Sequence, residues 1–220
     1  VAQALRSIGP VALAAGLALT SGHIAVRWAR WELMLRTLGQ RVPRRESARI
    51  YVAGLALGPT PGKLGETFRS VLLLRWGVPP SASLIAFLVD RLSDLVGVLL
   101  LAALSGRQAL WWALAAAAMA AGFVPRHGDR LALALSRVRA GRWARSMGEA
   151  LQASGAHLRS LWRLPQVALY AGMALFAYGL QAASFVWIVH ALWPSADSWQ
   201  LVHAFATATL AGAASMIPGG

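Results

Sequence analysis

The segment from Leu57 to Arg69 places two prolines, three glycines and three charges in the middle of a hydrophobic stretch, Ile50 to Trp76, that is otherwise long enough for a membrane helix. Proline lacks a backbone N–H and breaks a helix, and lipid offers no hydrogen bond to the groups that are freed. Such a break survives only where protein or a polar cavity covers it. Each half is also too short to cross ~30 Å of hydrocarbon, which favours a re-entrant hairpin of two half-helices.

A second break of the same kind lies at the other end of the chain. Small and apolar residues from Ala204 to Ile217 run into Pro218, Gly219 and Gly220. Two hydrophobic segments interrupted by glycine and proline, one in each half of a chain, indicate a transporter-type binding site at a repeat interface. The breaks therefore predict a site near the midplane and raise an inverted repeat as a hypothesis. The backbone positions that would form this site are Pro61, Gly62, Gly65, Pro218, Gly219 and Gly220.

Composition places the whole chain in a membrane. Hydrophobic residues make up 57% and charged residues only 13%, with a mean hydropathy of +0.54, whereas a soluble domain has about 25% charged residues. The net charge of +13 does not indicate a nucleic-acid protein, because the basic residues collect between apolar spans, as cytoplasmic loops do. No cysteine and no metal-type histidine spacing is present, so we expect neither a metal nor a cofactor.

The apolar spans predict an all-α, polytopic transmembrane helix bundle with re-entrant, broken half-helices. We predict basic cytoplasmic segments at Arg27–Arg49 and Pro125–Arg163, the second as amphipathic helices on an anionic leaflet. These two segments hold seven and eight arginines. The two predicted outer loops, Ser105–Gln108 and Trp193–Ser198, hold only one, Arg107. A full crossing by the broken stretch would put the two basic segments on opposite sides, so the asymmetry favours the hairpin. The predicted full spans are Ile8–Val26, Ala82–Leu104, Ala109–Val124, Leu164–Ala191 and Trp199–Ile217.

Three charges around the first break form one candidate binding group. Lys63, Glu66 and Arg69 follow each other at spacings of three residues. If a half-helix begins near Leu64, Glu66 lies in its first turn, where the helix dipole favours a carboxylate. The same N-terminus suits a lipid phosphate, with Lys63 and Arg69 as counter-charges. The alternative is that Glu66 is only a helix cap that pairs with one of these cations.

A second charged group lies inside the span Ala82–Leu104. Asp90 and Asp94 share a helix face and Arg91 lies between them. Unpaired burial of such groups is costly, so we expect them to face the bundle interior and to pair with each other or with Glu66 and Arg69. The alternative is an ion-pair clip that holds the hairpin and binds no ligand.

Four motifs, in this order and spacing, resemble the flippase-like membrane region of lysylphosphatidylglycerol synthases. The most distinctive is Pro-Gly-x-x-Gly-Glu followed by arginine three residues later. In that family, Pro-Gly-Gly is typically followed by a glycine and a glutamate that would match the first break, so we expect this chain to be part of a longer one. The motifs lie at Arg27–Gly39, Gly58–Arg69, Val89–Asp94 and Ile217–Gly220.

The resemblance implies a protein that moves a phospholipid or polyprenyl-linked lipid between leaflets of a bacterial cell membrane. From the charges themselves we expect membrane lipids with anionic headgroups as partners, and a headgroup path lined by Lys63, Glu66, Arg69, Asp90, Arg91 and Asp94. These residues include no aminoacyl-transferase segment, so we expect no synthase activity from them. Two alternatives remain: a membrane enzyme of lipid metabolism with Glu66 or Asp94 as general base, or a non-transporting accessory subunit.

Overall fold

The structure is a computed structural model that describes residues 2–56, 64–106, 109–121, 155 and 157–215. Every regular element in these ranges is α-helical, in agreement with the predicted all-α class. The main helices are α1 (Ala2–Thr37), α2 (Arg44–Ala56), α3 (Leu64–Leu74), α4 (Pro80–Gly106), α5 (Ala109–Ala121), α6 (Leu164–Leu192) and α7 (Ser198–Ser215). One further helical turn covers residues 157–161.

Helix α1 corrects the first predicted span. It kinks at Gly9, where φ is 75° and ψ is 154°, a conformation open to glycine because it has no Cβ. It then continues beyond Val26 to Thr37, so the first part of the predicted basic segment Arg27–Arg49 belongs to the helix. Arg27, Arg30 and Trp31 are buried. The buried positions 23, 27, 30, 31, 34 and 35 recur at helical spacing, which gives α1 one continuous face toward the protein.

Helix α6 packs against three other helices, α1, α4 and α7. Small residues line these contacts: Ser184 Oγ donates to the carbonyl of Gly16 at 3.0 Å and lies 3.3 Å from Thr20 Oγ1. A Cβ built on Gly97 of α4 would lie 2.6 Å from Ala174 Cβ. Such close backbone approach is typical of helices that pack in a membrane, where small side chains increase van der Waals contact.

Two of the helices are long and apolar enough to cross a membrane, Gly9–Thr37 and Leu164–Leu192. Helix α4 has 27 residues, about 40 Å at the usual rise, but three charges interrupt its apolar sequence. The predicted spans in α4, α5, α6 and α7 agree with the observed helices within a few residues. Helix α4 extends beyond its predicted span at both ends, since it begins at Pro80 and includes Ser105 and Gly106.

Between α1 and α4 the chain forms two short helices that pack on each other, α2 and α3. They have 13 and 11 residues, so each is about 20 Å or less and shorter than the hydrocarbon core. Helix α3 begins at Leu64, as predicted. The break itself, residues 57–63, lies outside the described residues, as do Pro218, Gly219, Gly220 and, within the Pro125–Arg163 segment, residues 125–154 and 156. The re-entrant position and the inverted repeat stay predictions.

The close contact between α4 and α6 can be tested with Gly97→Ala. The new Cβ would also lie 2.8 Å from the Ala174 backbone carbon, so we expect overpacking to cost about 1–3 kcal/mol. Gly172→Ala in α6 is the matched control, because a Cβ there has no atom within 4 Å. Both changes gain the same helix propensity, so the difference between their unfolding temperatures in detergent measures the clash. Equal temperatures would contradict this packing.

Candidate functional site

Two arginines of α1 bind two aspartates of α4 in the middle of the bundle. Arg27 Nη2 donates to Asp94 Oδ2 at 2.5 Å. Arg30 Nη2 donates to Asp90 Oδ1 and to Asp94 Oδ1, each at 2.5 Å, and Arg30 Nε donates to Asp90 Oδ1 at 3.0 Å. We call Arg27, Arg30, Asp90 and Asp94 the central network. Because Arg27 pairs with Asp94 while Arg30 also reaches Asp90, α1 and α4 run antiparallel.

The local sequence explains why these four side chains meet. Arg27 and Arg30 are three residues apart and Asp90 and Asp94 are four apart, so each pair shares one face of its helix. The cost of burying these charges is offset only when each has an opposite charge in good geometry. The prediction that Asp90 and Asp94 face the interior is confirmed, since both are buried. Their observed partners are Arg27 and Arg30, which the prediction did not include, whereas the Glu66 side chain lies outside the described residues.

Arg91 lies on α4, between the two aspartates of the central network in sequence, and it approaches both of them. Its Nη1 lies 3.5 Å from Asp94 Oδ2, and its Nη2 lies 4.0 Å from Asp90 Oδ2. Its guanidinium also lies over the ring of Phe87, with Cζ 5.6 Å from the centroid. The predicted pairing of Arg91 with the two aspartates is therefore observed.

Arg69 of α3 lies between aromatic rings of two other helices. Its Cζ is 4.4 Å from the Tyr51 ring centroid and 5.6 Å from that of Trp31, distances that suit cation–π attraction. Gly54 leaves the space for the side chain, since a Cβ there would lie 2.6 Å from Arg69 Cγ. Arg69 thus fastens α3 to α2 and α1 instead of binding the aspartates of α4.

Glu32, near the C-terminal end of α1, forms a hydrogen bond that connects α1 to α2. Its Oε2 accepts a hydrogen bond from Ser47 Oγ of α2 at 2.6 Å. Its Oε1 accepts from Arg36 Nε at 3.0 Å and from Arg36 Nη2 at 2.8 Å. With the Arg69 contacts, this bond holds the two short helices beside the central network.

The site holds more positive than negative charge. In the part of the chain that the structure describes, this region contains four guanidiniums, those of Arg27, Arg30, Arg69 and Arg91, and two aspartate carboxylates, those of Asp90 and Asp94. Tyr51 lies within electrostatic range of members of both groups. Among the described side chains here, four buried donors make no hydrogen bond, Arg27 Nε, Arg30 Nη1, Trp31 Nε1 and Tyr51 Oη, against one such acceptor, Asp90 Oδ2. Buried donors normally find acceptors, so this surplus suits an anionic oxygen.

The first-break residues are only partly visible. Glu66 is the third residue of α3, which places it in the first turn as predicted, but its side chain and all of Lys63 lie outside the described residues. The sequence interpretation missed Arg27 and Arg30, which it assigned to a basic loop. The signal that identifies them is the helical spacing of Trp31, Met34 and Leu35, which continues the apolar face of α1 beyond Val26.

The two long apolar helices, α1 and α6, and the buried charges between α1 and α4 indicate an integral membrane protein with a polar site inside its helix bundle. The family described as Lysylphosphatidylglycerol synthase TM region matches residues 1–220, the whole chain. The chain therefore belongs to this family, and the resemblance found in its motifs is confirmed. No curated protein and no solved structure matches it.

The central network can be tested through stability with Arg30→Met. This change leaves Asp90 buried without the guanidinium that binds it, and breaking a buried pair costs about 3–5 kcal/mol. We expect a clearly lower unfolding temperature in detergent.

The matched control for Arg30→Met is Arg49→Gln. Arg49 also pairs with a carboxylate, Glu46, but its side chain is 76% exposed, and exposed pairs contribute about 0–1 kcal/mol. Similar losses from both variants would show that the central network does not carry the α1–α4 contact.

Proposed function

We propose that this protein is a flippase-like lipid transporter of the cell membrane. It binds the anionic headgroup of a phospholipid or polyprenyl-linked lipid at the central network and moves it between leaflets, while the acyl chains stay in the hydrocarbon. The observation that carries the proposal is the excess of guanidiniums over carboxylates where α1 meets α4, with Arg27, Arg30 and Arg91 against Asp90 and Asp94. Family membership supports it, because the matched region is the membrane part of a lipid-related family.

Charge arithmetic favours an anion as the cargo. Glu66 adds a third carboxylate by sequence and Lys63 adds a fifth cation, so the excess of positive charge persists when the first-break residues are included. Charges within membrane segments are costly and mark substrate pathways. Arginine also offers a planar fork that matches phosphate oxygens in pairs.

The short helices supply the path for the headgroup. Helices α2 and α3 are each too short to cross the hydrocarbon, and contacts with Trp31 and Glu32 of α1 hold them. In this proposal they form the re-entrant hairpin, and the N-terminus of α3 with Lys63 and Glu66 faces the headgroup. A polar path of this kind lowers the cost of moving a charge through hydrocarbon.

The enzyme alternative loses one of its two candidate bases. Both carboxylate oxygens of Asp94 already accept charged hydrogen bonds from Arg27 and Arg30. A carboxylate stabilised in this way is a weak base. General-base chemistry would then fall to Glu66 alone, and for this reason transport is the function we favour.

Transport can be tested by translocation of fluorescent phosphatidylglycerol in proteoliposomes. We expect the wild type to exceed protein-free vesicles, and Glu66→Gln and Arg91→Gln to lose most of the rate at equal folded yield. Arg49→Gln, an exposed arginine outside the site, is the control and should keep the wild-type rate.

Two outcomes would contradict this proposal. No translocation of phosphatidylglycerol, phosphatidylethanolamine or a polyprenyl phosphate by the wild type would favour the enzyme or accessory roles. Full activity in Glu66→Gln and Arg91→Gln would remove the site from the path and leave it a structural clip.

A further inference from the structure

The central network has a sealed end and an open end. The side chains of Arg30 and Asp90 are both 0% exposed. Those of Arg27 and Asp94 are 11% and 7% exposed, and that of Arg91 is 31% exposed. A ligand that approaches the network therefore meets Arg27, Asp94 and Arg91 before it meets the Arg30–Asp90 pair.

Asp94 is the shared carboxylate of this network. It binds Arg27 and Arg30 at 2.5 Å each and lies 3.5 Å from Arg91, so one negative charge faces three guanidiniums. Asp90, by contrast, is fixed to Arg30 through both Nε and Nη2. The two aspartates, which are equivalent by spacing on α4, thus have different surroundings.

We propose that the two aspartates have separate roles: Asp90 is a permanent clip between α1 and α4, and Asp94 is an exchangeable counter-ion that a phosphate group displaces from Arg27 and Arg91. The inference rests on the proposed function, because it takes the phosphate to be that of a lipid headgroup. Asp94 is then a positioning residue that keeps the site closed until an anion arrives.

The geometry makes this exchange inexpensive. When phosphate oxygens replace Asp94 Oδ2 on Arg27, Asp94 Oδ1 keeps its bond to Arg30, so no buried charge is left without an opposite charge. Phosphate has more acceptor oxygens than one carboxylate and can bridge Arg27 and Arg91 together. The Arg30–Asp90 pair stays in place and preserves the helix contact during the exchange.

The test is binding of short-chain phosphatidylglycerol to the purified full chain in an uncharged detergent, measured as a dissociation constant by intrinsic tryptophan fluorescence. If Asp94 competes with phosphate, Asp94→Asn removes a like charge from the site and binding tightens, on the order of tenfold. The matched change Asp90→Asn, one helical turn away, should not tighten binding. Unchanged or weaker binding by Asp94→Asn, or equal tightening by both variants, would overturn the proposal.

A second variant keeps the test valid if Asp94→Asn fails to fold. Arg91→Gln alters the most exposed member of the site, and we expect it to weaken phosphatidylglycerol binding about tenfold with no change in unfolding temperature. Arg49→Gln, also an exposed arginine, should bind as the wild type does. Equal affinity of Arg91→Gln and Arg49→Gln would exclude exchange at the open end.

Two further ligands identify the source of the phosphate. Inorganic phosphate tests the free anion, and short-chain diacylglycerol tests the lipid without its phosphate. If Asp94→Asn binds phosphatidylglycerol more tightly but not inorganic phosphate, the result supports a lipid headgroup as the source of the phosphate. If it binds only inorganic phosphate more tightly, the result overturns the proposal. Because this readout is binding, a protein that binds as expected but does not translocate would contradict the proposed function and leave the exchange intact.

Discussion

The contact on which the rest of the structure depends is the pairing of Arg27 and Arg30 with Asp90 and Asp94. Helix α1 packs more extensively on α6 than on α4, so these buried bonds are a large part of what joins α1 to α4. Ion pairs away from water demand good geometry, because removal of either partner leaves a charge that the interior cannot solvate. They therefore fix both the antiparallel direction and the register of the two helices.

That register places the broken segment. Helices α2 and α3 connect the end of α1 to the beginning of α4, and they are tied to α1 by the Glu32–Ser47 bond and by the rings around Arg69. These contacts place Arg69 of α3 against Trp31, the residue that follows Arg30 on α1.

The apolar frame has a complementary role. Close contacts of Gly16 with Ser184 and of Gly97 with Ala174 hold α1 and α4 against α6 over much of their length. Membrane helices gain little from excluding water, so such packing must supply the stability that hydrophobic burial supplies in soluble proteins. A rigid frame of this kind lets Asp94 change partners without movement of the helices, while Asp90 keeps the contact that holds them together.

Much of this protein follows from its sequence alone. Low charge, high hydropathy and span length specify a membrane helix bundle, and the observed helices α4 to α7 agree closely with the predicted spans because helix formation in lipid is dictated by local composition. The sequence also identified Asp90, Arg91 and Asp94 as interior charges, since such residues are costly in hydrocarbon.

The partners of these charges were decided only by the tertiary structure. Arg27 and Arg30 continue the apolar face of α1 by their spacing from Trp31, Met34 and Leu35, but the sequence does not show that Asp90 and Asp94 are their partners. Their burial depends on α4 lying antiparallel to α1, and the sealed and open ends of the network depend on how neighbouring helices cover it. Local composition determined which segments are helices. The different surroundings of Asp90 and Asp94 arise from long-range packing, because solvent access is a property of the assembled bundle.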